Sequence, residues 1–183
     1  MAPLLGCESP AAPQSYPRQF FAGRNPDQKP IYQTIVPSHW QRLPTESDLE
    51  DTMKPICAYC IANEIQLVVH NFPSDTLSQR IPPQAQVTRW QRQFGQGSLS
   101  EECYNGFVGL RLEAQNLIAW AMQMDPELFL TLTGPLAFPQ DRERRSDYTI
   151  KVTGPQDLLE DHRQELETFA RYFELIEPIA TDS

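Results

Sequence analysis

The stretch SLSEECYNGFVGLRLEAQNLIAWAMQM, residues 98–124, carries the clearest pattern in the chain and decides the predicted fold. It opens with a capping box, in which Ser98 would cap a helix and Glu101, three residues on, would reach back to the cap. Apolar residues then recur at steps of three and four, as on one face of an α-helix; they are Cys103, Phe107, Leu110, Ala114, Leu117, Ala121 and Met124. The pattern predicts one long helix over residues 98–124.

A second helical pattern covers residues 155–176, where Pro155 suits the start of a helix. When these residues are placed at 100° intervals around a helix axis, one side of the helix is apolar and glutamates line the other. The apolar sector contains Leu158, Leu159, His162, Leu166, Phe169, Phe173 and Ile176. Residues 64–72 and 148–154 alternate as short strands do. Two long helices with a few short strands predict an α+β, predominantly helical fold.

The first 44 residues differ in composition from the rest. They carry eight of the seventeen prolines, and each proline removes a backbone donor and restricts the residue before it to extended geometry. Aromatic residues stand among the prolines, which a plain linker would not need. We predict that residues 1–44 form an extended, proline-rich arm that lies on the folded part or on a partner, and that residues 45–183 form a single globular domain.

Charge and apolar content narrow the classes of function. The formal net charge is −9, from 15 basic and 24 acidic residues, and phosphate backbones reward clustered lysine and arginine. Nucleic acid is therefore not the expected partner. No apolar run approaches the roughly 20 residues of a membrane helix, and four cysteines in 183 residues are ordinary for an intracellular protein. The sequence predicts a cytoplasmic protein without a membrane partner.

The segment KPICAYC, residues 54–60, raises the question of thiol or metal chemistry. Acidic residues precede it, and negative neighbours disfavour the thiolate that a redox pair needs. Zinc would require four ligands, and Cys57 and Cys60 could be completed only by His70 and Cys103. We expect two packed thiols and no cofactor, and keep a small zinc-stabilised or thiol-dependent domain as the alternative.

Catalysis is the second alternative. His162 lies three residues before Glu165, so that this carboxylate could orient it as a base. A site could also assemble from residues distant in the chain, such as His39, His70 and His162. However, no GxSxG, HExxH, P-loop or dinucleotide-binding glycine pattern occurs. The sequence therefore favours a protein that is not an enzyme.

The remaining motif is TRWQRQF, residues 88–94, in which arginines stand beside aromatic rings. Such mixtures occur at the centres of protein interfaces. We predict a non-catalytic interaction protein, regulatory or adaptor in kind, that binds another protein through its arm and its acidic helical domain. The predicted contact residues are Phe20, Phe21, Trp40, Arg89, Trp90 and Phe94. The sequence makes no prediction about the oligomeric state.

Overall fold

The structure is a computed structural model, and it describes residues 16–22, 29–45, 54–74, 76–131 and 144–176. The strands in these ranges are β1 Arg18–Phe21, β2 Tyr32–Ile35, β3 Gln41–Leu43, β4 Cys57–Ile61, β5 Ile65–Pro73, β6 Ser98–Tyr104, β7 Phe107–Ala114, β8 Leu117–Met124, β9 Ser146–Thr153 and β10 Glu174–Leu175. The helices are α1 Pro83–Phe94, α2 Pro126–Thr131, α3 Gln156–Asp161 and α4 Arg163–Tyr172, with a 3-10 turn at Leu77–Gln79.

The strands form two antiparallel sheets. One has three strands in the order β1-β2-β10, and the other has seven in the order β3-β4-β5-β9-β8-β7-β6. The predicted α+β, predominantly helical class is therefore wrong, because strands outweigh helices in the described part of the chain.

The long helix predicted over residues 98–124 is the main error. That stretch is a meander of three strands, β6, β7 and β8, joined by two-residue turns. Asn105 and Gly106 both have positive φ, 52° and 84°, as the twist of a tight hairpin requires. Strand β8 is buried on both faces, so apolar residues occupy nearly every position and also satisfy a helical spacing.

The helix predicted over residues 155–176 is present as two shorter helices. The chain is helical in α3 and α4, but it breaks at His162, whose φ and ψ are −102° and 5°. After α4 it turns extended and ends in β10. The stretches predicted as strands at 64–72 and 148–154 are present as β5 and β9.

Three strands lie within the described part of the proline-rich residues 1–44. Strand β2 runs between β1 and β10, and β3 pairs with β4 at one edge of the seven-stranded sheet. The four prolines of this stretch that the structure describes, Pro17, Pro30, Pro37 and Pro44, stand outside these strands, where their missing N–H groups cost no ladder hydrogen bond. The division into arm and domain at residue 44 stays a prediction, since residues 1–15 and 46–53 lie outside the described part.

The seven-stranded sheet is covered on both faces. On one face, α1 packs Val87 and Trp90 against β7 and β8. On the other, α3, α4 and the three-stranded sheet enclose the main core, where aromatic rings stack; among them, Tyr32 and Phe173 lie 5.2 Å apart between ring centroids. Coverage on both faces is why the sequence of β8 is almost continuously apolar, and β9 is buried at most positions although its sequence alternates.

A buried ion pair closes one end of this sheet. The Arg80 guanidinium donates to both carboxylate oxygens of Asp147, at 3.1 and 2.7 Å, and both side chains are almost fully buried. Asp147 also accepts the Met124 amide at 2.9 Å, and the guanidinium lies 4.8 Å from the Phe129 ring centroid. One pair thus links β9, the end of β8, α2 and the segment that leads into α1.

Replacing Asp147 with asparagine should lower the free energy of unfolding by about 3–5 kcal/mol, because a buried guanidinium would lose its counter-charge. Urea denaturation followed by circular dichroism measures this. The control is Glu160→Gln, which removes an exposed carboxylate that pairs with Arg163 and should leave the midpoint near that of the wild type. Equal midpoints for the two variants would show that the buried pair does not support the fold.

Candidate functional site

The residues predicted to contact a partner do not form one surface. Phe21, Trp40 and Trp90 are core residues with exposures of 1, 5 and 2%. Phe20 is half exposed on β1. The other two belong to α1, on the far face of the seven-stranded sheet: Arg89 donates to Gln86, and the Lys151 ammonium lies over the Phe94 ring. Phe21, Trp40 and Trp90 thus stabilise the chain itself, whereas Phe20 is exposed and Phe94 is partly buried.

Cys57 and Cys60 lie on the same strand but on opposite faces of the sheet. Cys57 points into the main core with Tyr59 and Ile61, whereas Cys60, an odd number of residues away, points to the side of α1. Three residues of strand span roughly 10 Å, more than the roughly 7 Å limit between the Cα atoms of a disulfide. The two thiols are therefore not placed to form a disulfide with each other.

His70 and Cys103 do not complete a site around these thiols. Cys60 is opposite Gln66 on β5, and His70 is four residues further along, roughly 13 Å at strand spacing. Cys103 is on β6, five strands from β4, a separation of about 24 Å. The structure does not bring the four predicted ligands together.

Burial decides the chemistry of Cys57. Its thiol is 1% exposed, and burial raises its pKa far above the ordinary value, against a smaller lowering effect of the Arg42 charge. The thiolate is the reactive form of cysteine, so Cys57 is held as a neutral, packed thiol. Cys60 is only partly buried.

Two of the three histidines do come together, around Glu165. The Oε2 atom of this carboxylate lies 3.2 Å from His39 Nε2 and 3.1 Å from His162 Nδ1. It also accepts the Trp40 indole N–H at 3.0 Å. The sequence indicates His162 and Glu165 as a pair, but not the approach of His39, which is 126 positions from Glu165.

The carboxylate of Glu165 is stabilised in its charged form. Burial alone would raise its pKa, but the hydrogen bonds from Trp40 and His162, together with the nearby histidines, hold the pKa below the usual value. A carboxylate with three converging nitrogens is thus available as an anionic ligand or hydrogen-bond acceptor at neutral pH.

A groove lies between the start of α1 and the strands β6 and β7. Its volume is about 640 Å³, and its lining includes Pro82, Pro83, Gln84, Glu101, Glu102, Cys103, Val108, Gly109, Leu110 and Gln123. Val108 is 39% exposed, and Leu99, four positions before Cys103 on β6, is 44% exposed. Sequence reasoning missed this groove because it interpreted residues 98–124 as a helix; the Asn105–Gly106 pair is the signal that could have found it.

Strand β6, which forms one side of the groove, is the last strand of the seven-stranded sheet within the described ranges. Tyr104 and Phe107 flank the two-residue turn, so they form the hydrogen-bonded pair that closes the hairpin. Bonding alternates along an antiparallel pair. The backbone groups of Leu99 and Glu101 are therefore directed away from β7, along the outer edge of the sheet.

Comparison with known proteins gives a fold and no family. No protein-family description matches the chain, and no curated protein matches it. The fold is similar to that of a cyanobacterial PsbP. The solution structure of cyanobacterial PsbP (CyanoP) from Synechocystis sp. PCC 6803 superposes with a TM-score of 0.53 at 14% identity, covering 94% of this chain and 99% of that chain. The likeness to CyanoP concerns the fold alone.

Membrane crossing by a helix finds no support in the structure. In residues 16–22, 29–45, 54–74, 76–131 and 144–176, no helix combines the length and the apolar character that a membrane span requires.

Iodoacetamide should label Cys60 in the native protein at pH 8 and leave Cys57 unlabelled until the protein is unfolded in urea, since Cys57 is buried and neutral. Mass spectrometry of the peptides that carry each cysteine measures the two rates. Cys60→Ser is the control, because it should remove native labelling from β4 altogether. Labelling of Cys57 at the same rate with and without urea would contradict the packing described above.

Proposed function

We propose that this protein is a non-catalytic binding protein, regulatory or adaptor in kind, that accepts an extended, basic segment of a partner protein along the outer edge of β6. The observation that carries the proposal is the combination of an edge strand with an adjoining groove. A partner strand there would gain backbone hydrogen bonds from the edge and side-chain contacts from the groove, as in binding by strand addition.

The backbone of β6 supplies the first part of the proposal. Leu99 and Glu101 direct their backbone N–H and C=O groups away from β7, two residues apart; Cys103, the next residue of this series, is engaged in a disulfide. This spacing matches the alternate residues through which an added strand pairs. The seven residues of β6 are enough for a strand of ordinary length.

The groove supplies the second part, because it can accept alternate side chains of the added strand. Val108 and Leu110 offer apolar surface from β7, while Pro82 and Pro83 form the wall at the start of α1. Prolines hold that wall rigid, since their φ angles are fixed. Burial of an apolar side chain against this surface would add affinity in proportion to its area.

The charge of the groove lining indicates the chemistry of the partner. The lining contains Glu101 and Glu102 and no lysine or arginine. Glu102 is compensated by Arg111, at 3.1 Å on the other face, whereas Glu101 is exposed on the groove side. An antiparallel pairing of two copies of β6 would bring like charges together, which is unfavourable. A basic partner segment fits this edge better than a second copy of the chain.

A blocked eight-residue peptide alternating valine and lysine should bind the full chain, and one alternating valine and glutamate should bind at least about tenfold more weakly. Titration with each peptide, followed by amide NMR shifts, measures affinity and location. The largest shifts should fall on Leu99, Glu101 and their neighbours on β6. Shifts spread evenly over the protein, or equal affinity for both peptides, would count against the proposal.

Two variants of one residue separate hydrogen bonding from charge. Glu101→Pro removes an outward amide and keeps the β7 pairing, so it should weaken the lysine peptide by about tenfold or more. Glu101→Ala keeps that amide and removes the carboxylate, so it should cost only a fewfold, with less salt dependence. Sedimentation of the chain without peptide shows whether it forms a dimer. If the wild type is a dimer and Glu101→Pro is a monomer, the edge of β6 binds a second copy of the chain, and the proposed partner is wrong.

A further inference from the structure

We propose that His39, His162 and Glu165 form a binding site for Zn²⁺ that joins the β2–β3 connection to the start of α4. Within the described ranges, these three residues are the only group of histidine, cysteine, aspartate and glutamate side chains with ligand atoms all within 4.8 Å of one another. The site is distinct from the residues predicted as zinc ligands from the sequence and from the β6 edge.

The donor set suits a borderline metal ion. Two imidazole nitrogens and one carboxylate oxygen are typical zinc ligands, with bonds of about 2.0–2.2 Å. In a tetrahedral site with such bonds, neighbouring ligand atoms are about 3.3 Å apart. The Glu165 Oε2 atom is 3.1 Å from His162 Nδ1 and 3.2 Å from His39 Nε2, so both nitrogen–oxygen separations already have nearly the required length.

The chain holds two of the ligands and leaves the third free to adjust. His162 is the residue between α3 and α4, and Glu165 lies in the first turn of α4, three residues later. His39 is on the turn before Trp40, whose amide donates to the Pro37 carbonyl at 3.1 Å. The His39 side chain is 55% exposed, so it can approach the other nitrogen as the metal binds.

A neighbouring residue orients the carboxylate, as outer-shell partners do in metal sites. The Trp40 Nε1–H donates to Glu165 Oε2 at 3.0 Å. Trp40 is itself fixed in the core, with its ring centroid 5.7 Å from that of Tyr59 and 5.6 Å from that of Phe169. Three protein ligands leave a fourth position for water or for a donor from a partner, as in open zinc sites.

A metal ion bound at this position would connect two parts of the fold. The chain passes from the three-stranded sheet to the seven-stranded sheet between β2 and β3, and His39 lies in that connection. Glu165 lies in α4, and His162 joins α3 to α4, the two helices that cover the main core. Zinc bound to all three would cross-link two segments more than 120 positions apart in sequence, since His39 and Glu165 are separated by 126.

Calorimetric titration of the metal-stripped full chain with Zn²⁺ tests the site, and Co²⁺ in its place reports the geometry through its visible absorption. The wild type should bind one equivalent. His39→Ala and Glu165→Gln should each weaken binding by more than about a hundredfold, because they remove direct ligands, and Trp40→Phe by roughly 10–100-fold. Far-ultraviolet circular dichroism confirms that the variants fold; the His39 change is on an exposed side chain and the Glu165 change keeps an acceptor for Trp40.

Two control variants each lack one of the other candidate ligands. His70→Ala and Cys60→Ser remove a histidine and a thiol away from the cluster, and both should bind zinc as the wild type does. Loss of binding in these controls with no loss in His39→Ala would move the site to β4 and β5 and overturn the proposal. Failure of the wild type to bind Zn²⁺ more tightly than about 1 mM would overturn it as well, since two held ligands and a third close by should exceed that affinity.

Discussion

The buried pair of Arg80 and Asp147 is the interaction on which the arrangement of this fold depends. Removing two charges from water is costly, and the cost is offset only where every donor and acceptor is satisfied. Here the carboxylate accepts the guanidinium twice and the Met124 amide once. The pair sets where the chain leaves the sheet and enters α1, and so it also sets the position of Pro82 and Pro83, which form one wall of the groove beside β6.

The groove differs in charge from the other side of the same two strands. On the side of α4, the acids are matched by arginines: Arg111 contacts Glu102 and Glu167, and Arg163 contacts Glu113. On the side of α1, Glu101 faces the groove without a basic residue in the lining. The two faces of the β6–β7 hairpin thus differ: on one, the carboxylates are paired with arginines, and on the other, Glu101 is left exposed beside the groove.

The sequence predicts some elements of this fold well and others poorly, for physical reasons. Strands β5 and β9 were recognisable because one face is apolar and the other carries polar residues. Strand β8 was not, because burial on both faces makes a strand as uniformly apolar as a buried helix. The positive φ angles at Asn105 and Gly106 belong to turn chemistry that is visible in the sequence, and it outweighs the apparent capping box at Ser98.

The candidate sites show the same limit. His162 and Glu165 are three residues apart, so their pairing could be predicted from local spacing, whereas His39 reaches them only through the packing of distant segments. Aromatic residues in a proline-rich stretch could serve the core or a partner, and composition does not separate the two. Phe21 and Trp40 serve the core, because the strands around them pair with the rest of the chain.

The position of β2 bears on how the protein folds. This strand pairs with β1, a neighbour in sequence, and with β10, where Gln33 is opposite Glu174, 141 positions away. The entropy of closing this loop is lost before any contact between its ends offsets it, and pairings between distant segments therefore form slowly. The meander β6–β8 needs only short turns and can form early, so the three-stranded sheet is the part that we expect to assemble last. The native state is then complete only when β2 and β10 pair, and refolding should be slow for a chain of this size.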